Sequence, residues 1–380
     1  MRIEYKEYRT KKILNIHKHV DGPWFWGKYT AHPYVGCRYG CSFCYCRGFR
    51  YLGRRSPESF SKVIEVKINA VERLQGELFG LPKEIISVGD WQQPAESKYQ
   101  LSREMLKVVL DAQFPLFIIE RSPLLLRDID LLEEINQSSW VGVLFSVSSL
   151  NPYVKKAFEP NSPGVKQRFK VMERLAGVGI KTGLSMMPIL PFICDQEAEI
   201  EALIVAAKDH GASCVLAGGL TMDGVQADYT LSAVKEFDPG LEHRYRSLYN
   251  WKAGEKPQYS PSRKYIATLG LLVRELCGKH DLLDRLPRFI APGPLSNNKR
   301  IAEKLYLKTY DLELEQMPGY KIWAYRKAAW TMDELSEPIE ELYHREGLAG
   351  LKSLPNIGPS LSREIVGWLE DKGFHPPTLD

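Results

Sequence analysis

Seven cysteines occur in this 380-residue chain, and four of them fall in one run of ten residues. The run reads Cys37-Arg38-Tyr39-Gly40-Cys41-Ser42-Phe43-Cys44-Tyr45-Cys46. Thiolates packed so closely repel one another unless a metal takes up their charge. Cys37, Cys41 and Cys44 have C-x3-C-x2-C spacing, with the aromatic Phe43 just before the third. Three thiolates on a four-iron cluster leave one iron without a protein ligand. The alternative is a structural zinc knuckle, which needs a fourth ligand and usually a second C-x2-C pair some distance away. Cys46 could supply the fourth thiolate, but the chain has no second pair. The spacing favours the iron–sulfur cluster, with Cys46 outside the ligand set.

The rest of the chain must hold that run in place. With 44% hydrophobic residues, its length suffices for two or three domains with a substantial core. Charged residues at 26% are ordinary, and a formal net charge of +4 permits an anionic partner without requiring one. No apolar run approaches the roughly 18–20 residues of a membrane span, so no membrane partner is expected. The first six residues lack the apolar segment of a secretory signal. An odd cysteine count, with four clustered, argues against a disulfide framework and for a reducing compartment. A cytoplasmic location is expected.

Residues 1–30 are a basic and aromatic extension, in which His17 and His19 read as solvated beside Lys18. After the cysteines, Arg47, Arg50, Arg54 and Arg55 are interleaved with aromatics. Such a stretch could grip phosphates and stack on bases; a solvated loop face is the other reading. From Val63 onward, strand-like and helix-like patterns alternate. Val63–Ile68, Ile85–Val88, Leu116–Ile119, Val141–Val147, Ile180–Ile189 and Cys214–Ala217 read as strands. Between them, Asn69 is placed to cap a helix to Phe79, and helical spacing recurs over Leu101–Gln113, Ile129–Ile135, Val165–Ala176 and Glu197–His210. Repeated β–α alternation predicts a parallel sheet with helices outside, and chemistry at the strand C-termini.

The cysteine run resembles the cluster loop of the radical S-adenosylmethionine superfamily. That resemblance implies a [4Fe-4S] cluster whose open iron chelates S-adenosylmethionine, a 5′-deoxyadenosyl radical as product, an open partial β/α barrel, and an electron donor such as a ferredoxin or flavodoxin. Gly89-Asp90-Trp91-Gln92-Gln93-Pro94-Ala95-Glu96, with Leu101-Ser102-Arg103, is similar to a segment of the spore photoproduct lyase-related branch. Leu126–Leu132, Phe158-Glu159-Pro160, Arg168 and Ile189-Leu190-Pro191 resemble its later segments, so the likeness covers roughly 30–220. By family position, Asp90, Gln93 and Glu96 lie where the amino group of S-adenosylmethionine is held, Ser146 where the ribose is, and Phe43 beside the cluster. The residues by themselves leave another account of Asp90 and Glu96 open, that they cap the following helix. The hydrogen-donating cysteine of true spore photoproduct lyases is absent from 90–96. Cys194 and Cys214 lie near later strand ends, where isolated cysteines are commonly small buried hydrophobes.

Past Pro292-Gly293-Pro294 the character changes to all-helical. Leu351–Ile365, with Leu354-Pro355-Asn356-Ile357-Gly358-Pro359-Ser360 at its centre, has helix-hairpin-helix form, and 296–375 resembles the amino-terminal helix-hairpin-helix domain of DNA polymerase beta and its relatives. Amides at such a turn can hold a DNA phosphate without reading sequence, which makes Asn356, Ile357, Gly358 and Ser360 the expected DNA contacts. Asn356 replaces the usual first glycine, and asparagine tolerates the left-handed conformation required there. Glu364 stands at the position of the relatives' lyase lysine, so no Schiff-base chemistry is expected. The expected organisation is an extension (1–30), a radical S-adenosylmethionine core (31–240), a helical extension and linker (241–295), and a small all-α helix-hairpin-helix domain (296–380). The expected function is radical chemistry on DNA, in repair or modification of a base. The alternatives are a peptide or small-molecule substrate, with the hairpin domain serving assembly, and a zinc-stabilised DNA-binding protein.

Overall fold

In a computed structural model, residues 3–20, 22–53, 55–89 and 91–371 are described. The chain divides into two compact units, Met1–His17 with Gly27–Pro287, and Lys18–Trp26 with Arg288–Asp380.

Among the described residues, the first unit is built on ten strands: β1 (Glu4–Tyr8), β2 (Leu14–Ile16), β3 (Tyr29–Ala31), β4 (Tyr34–Val35), β5 (Val63–Lys67), β6 (Ile86–Gly89), β7 (Leu116–Glu120), β8 (Val141–Ser146), β9 (Lys181–Ile189) and β10 (Cys214–Gly219). Seven form one sheet in the order β10-β9-β8-β7-β6-β3-β2. All neighbouring pairs from β10 to β3 are parallel, and β2 closes the row antiparallel to β3. The row has two ends, so the barrel is open. β8 is buried at every residue, as a strand covered on both faces must be. Gly183 of β9 has its backbone tight against its neighbours: a Cβ there would meet Leu144 Cδ2 at 2.4 Å and the Cys214 carbonyl at 2.7 Å.

The parallel series begins two strands earlier in the chain than the sequence pattern suggests. Val63–Lys67, expected as its first member, pairs instead with β1 and β4 in a separate three-stranded sheet. Its alternating burial, with only Ile64 and Val66 inside, is that of a strand with one face covered. The first barrel strand is β3, whose three residues are too few to show a period. Helices Ala70–Leu78, Leu101–Asp111, Ile129–Ser138, Val165–Ala176 and Glu197–Asp209 lie between successive strands. Each sets an apolar stripe inward, as with Leu101, Met105, Leu106, Val108 and Val109. Asn69 does precede its helix, but makes no side-chain cap. Its amide exchanges hydrogen bonds with the backbone of Thr10, at 2.8 and 3.0 Å.

The second unit packs helices Ser296–Leu314, Gly319–Asp333, Ile339–Ser353 and Pro359–Glu370 around Ile301, Leu305, Ala328, Met332, Leu351 and Ile365. Gly347 breaks the third helix with a φ of 63°. Buried Asn298 steers the chain into that helix, donating to the carbonyls of Leu335 and Glu337 and accepting from the Ile339 amide at 2.9 Å. Trp26 packs edge-on against Tyr306. His19, expected to be solvated, stacks on Trp330 with ring centroids 4.0 Å apart, and its Nδ1 lies 2.6 Å from Glu334. No described helix is long and apolar enough to cross a membrane.

Candidate cofactor site

The cysteine run leaves β3 by way of His32, Pro33 and β4. Gly36 turns the chain with a φ of 90°, passing so near the backbone that a Cβ would meet the carbonyls of Phe60 and Val63 at 2.8 Å. Only glycine fits there. The Cys37 amide donates to the Phe60 carbonyl and the Ser42 amide to that of Phe158.

Side chains hold the remaining carbonyls. Arg47 donates from Nη2 to Gly40 O at 2.7 Å and from Nε to Cys41 O at 3.0 Å, with its guanidinium between the rings of Phe60 and Tyr229. Thr230 donates to Ser42 O, and Gln226 donates to Phe43 O at 3.0 Å. The arginine-rich stretch is therefore neither a phosphate grip nor a solvated face at two of its positions. Arg47 is buried, and Arg55 donates to the carbonyls of Val35 and Val63. Gln226 and Thr230 gave no local signal, lying more than 180 residues from their partners.

With its backbone occupied, the loop presents its side chains. Cys37 and Cys41 are buried, while Cys44 and Cys46 are partly exposed; all share one apolar cluster with Tyr39, Phe43 and Phe158. Arg121, directly after β7, donates from Nη1 to the Cys41 sulfur at 3.3 Å and lies 3.4 Å from Glu159 Oε2. Glu159 Oε2 is also 2.5 Å from Arg168 Nη2. Burial alone would raise the Glu159 pKa, but the two guanidinium groups and hydrogen bonds from Arg168 and Ser162 hold it below its ordinary value. Fully buried Arg168 also donates to the Ser146 carbonyl at 2.6 Å. A continuous chain of contacts thus joins Cys41 to Ser146 at the end of β8. Ser185 faces Ser146 in register, and its Oγ is buried without a partner.

Gln93 joins the site as well. It donates to the Gly36 carbonyl at 3.1 Å, and its Oε1 is a buried acceptor without a partner. Asp90 lies outside the described residues. Glu96 is engaged elsewhere. Fully buried, it accepts from the Tyr34 hydroxyl and the Ser102 amide on one oxygen and from Arg127 on the other. Arg127 and Arg103 both reach buried Asp128, and Arg103 also grips Asp130, holding the Asp130 pKa down at about 2. These contacts tie the Glu96 carboxylate to the first turn of helix Leu101–Asp111.

The donor set suits an iron–sulfur cluster, with thiols in apolar surroundings, a cation on one sulfur, and orphaned acceptors at Gln93 and Ser185. Among the described residues no group of three His, Cys, Asp or Glu is arranged to hold a single metal ion. A four-iron cluster makes a different demand, because its irons lie apart and its thiolates need not converge on one point.

In the second unit, Asn356 has a φ of 61°, the left-handed turn expected of it. Its amide donates to Thr331, whose hydroxyl donates to the Pro355 carbonyl. The Ile357 side chain is buried and its amide is bonded to Leu354 O. Of the four hairpin positions, Asn356, Gly358 and Ser360 are therefore the exposed ones. Glu364 accepts from Tyr325 at 2.8 Å.

Residues 32–204 match the Radical SAM superfamily, and residues 296–373 match a helix-hairpin-helix domain. The chain thus carries a radical SAM domain followed by a helix-hairpin-helix domain. The cofactors of that superfamily are a [4Fe-4S] cluster and S-adenosylmethionine. An uncharacterized protein of Mycobacterium tuberculosis is 27% identical over 260 residues, covering 67% of this chain and 76% of the relative. An uncharacterized protein of Methanocaldococcus jannaschii is 28% identical over 200 residues, covering 52% of this chain and 71% of that one. Among solved structures, a spore photoproduct lyase variant with bound AdoMet and dinucleoside spore photoproduct is similar in fold. The TM-score is 0.53 at 16% identity, over 72% of this chain and 78% of that one.

Proposed function

We propose that this radical SAM protein acts on DNA, with Cys37, Cys41 and Cys44 holding its [4Fe-4S] cluster and the hairpin at 356–360 holding the DNA backbone. When bound, the cluster delivers an electron that splits S-adenosylmethionine and leaves a 5′-deoxyadenosyl radical able to abstract a hydrogen atom. The protein's part is to orient and to exclude water. Gln93 offers its orphaned oxygen to the methionine amine, with Asp90 beside it in sequence, while Ser146 meets the ribose and Phe43 covers the cluster. Glu96 acts by positioning. The electron comes from a ferredoxin- or flavodoxin-type donor.

The observation that carries DNA is the hairpin. Gly358 opens the last helix, is exposed, and has nothing within 4 Å of where a side chain would start. A phosphate can therefore approach the helix N-terminus directly. Such contact is sequence-independent, with a dissociation constant of roughly 10⁻⁴–10⁻⁶ M and a steep salt dependence. Choice of a base must then fall to the barrel.

The test is anaerobic purification followed by metal analysis, S-adenosylmethionine cleavage with a chemical reductant, and duplex binding across a salt series. The expected result is iron and sulfide in equal amounts, 5′-deoxyadenosine formation, and DNA binding lost on adding salt. Zinc in place of iron, or no DNA binding at low salt, would overturn the corresponding half.

A further inference from the structure

We infer that Arg121 sets the reduction potential of the cluster through its hydrogen bond to Cys41, and that Glu159 positions it to do so. The inference rests on the proposed reading of Cys41 as a ligand. Arg121 begins where β7 ends, so its backbone is fixed by the sheet. Its guanidinium lies 3.3 Å from the Cys41 sulfur, 3.4 Å from Glu159 Oε2, and 5.8 Å from the centroid of the Phe43 ring. The side chain is only 13% exposed and that of Glu159 4%, so water screens the contact little. Glu159 is itself immobilised by Arg168 and Ser162, which limits the directions in which Arg121 can turn.

A sulfur that ligates iron still has lone pairs to accept a hydrogen bond. Reduction adds one electron, from a ferredoxin- or flavodoxin-type donor, and takes [4Fe-4S]²⁺ to [4Fe-4S]⁺ without moving a proton. With three thiolates counted, the assembly becomes more negative by one charge. A cation donating to one of those sulfurs stabilises the more negative form more, which raises the potential. Arg121 therefore makes the cluster easier to reduce by its donor. As it acts through Cys41, it is a positioning residue.

The test is potentiometric titration of the cluster, followed by electron paramagnetic resonance, in full-length reconstituted protein. Arg121→Gln and Arg121→Met should shift the midpoint to more negative potential. Arg121→Lys should recover most of the wild-type value, and Glu159→Gln, which keeps an acceptor for Arg121 but removes a buried negative charge, should shift the midpoint to more positive potential. Iron content and affinity for S-adenosylmethionine, measured by equilibrium dialysis, should stay at wild-type levels. If Arg121→Gln cannot hold a cluster, the Arg121→Met midpoint decides the matter. Unchanged midpoints in every loaded variant overturn the inference, as does a selective loss of affinity for S-adenosylmethionine, which would make Arg121 a cofactor contact. Wild-type protein without a [4Fe-4S] signal would instead overturn the underlying ligand assignment.

Discussion

In the cysteine loop, the carbonyls of Gly40, Cys41, Ser42 and Phe43 all accept side-chain hydrogen bonds, and the thiols are what remains for chemistry. In the hairpin turn the division is reversed. The Ile357 side chain is buried, and the backbone at Gly358 is what faces solvent. One loop uses up backbone to present side chains; the other uses up a side chain to present backbone. The first should therefore be intolerant of changes in residue type. The second should respond only to changes in charge or conformation.

The largest effect expected from this contrast is in the thiols themselves. Cys37→Ala, Cys41→Ala and Cys44→Ala should each abolish reductive formation of 5′-deoxyadenosine, while Cys46→Ala retains it. Equal loss in all four would indicate a four-thiolate site. Next comes the clamp. Arg47→Met removes two hydrogen bonds to carbonyls and a buried cation held between two rings. This should cost on the order of 3 kcal/mol of stability, read by denaturant titration. A cost under about 1 kcal/mol would mean that the loop holds its shape without the clamp.

His32, on the approach to the loop, adds a pH dependence. Burial, and then Lys67, push its pKa from 6.5 down to about 4 against a hydrogen bond that its ring donates to the Gly89 carbonyl. Between those values the unfolded chain binds a proton that the folded chain does not, so stability falls as pH drops from 6.5 towards 4. The loss should be on the order of 2 kcal/mol, and His32→Gln should flatten that part of the stability profile. An unchanged slope in the variant would assign the acid sensitivity to other groups.

On the hairpin side, Gly358→Asp places a good N-cap residue in open space and a negative charge where a phosphate would sit. Stability should change by less than about 1 kcal/mol, while duplex affinity at low salt falls roughly tenfold. Undiminished binding would leave a protein-interaction role for the domain. The smallest effect is at Asn356. Alanine in its left-handed conformation should cost about 1 kcal/mol, whereas glycine should be nearly neutral. Calorimetric melting separates the two.

The sequence made legible what is local. Cysteine spacing, the helix at Val165–Ala176 and the left-handed Asn356 all depend on neighbours within a few residues. It concealed what depends on distant partners. Arg47 reads as one of a surface set until Phe60 and Tyr229 are seen around it. Glu96 sits in a family-like segment, yet Tyr34 and Arg127 engage its carboxylate. β3 is too short to carry a pattern, and the aromatic residues at 24–26 give no hint that Trp26 packs on Tyr306. Burial of a polar group is set by what arrives from elsewhere in the chain, and periodicity does not encode that.

The claim that the two loops serve one reaction is tested most directly by following hydrogen. Full-length, cluster-loaded protein is mixed anaerobically with reductant, S-adenosylmethionine and deuterium-bearing DNA, intact or damaged, and the 5′-deoxyadenosine is analysed by mass. If radical chemistry in the barrel acts on the DNA that the hairpin holds, deuterium should appear in 5′-deoxyadenosine. The label should decline with added salt and in Gly358→Asp. If 5′-deoxyadenosine forms at an undiminished rate but stays unlabelled with both kinds of DNA, DNA is not the substrate.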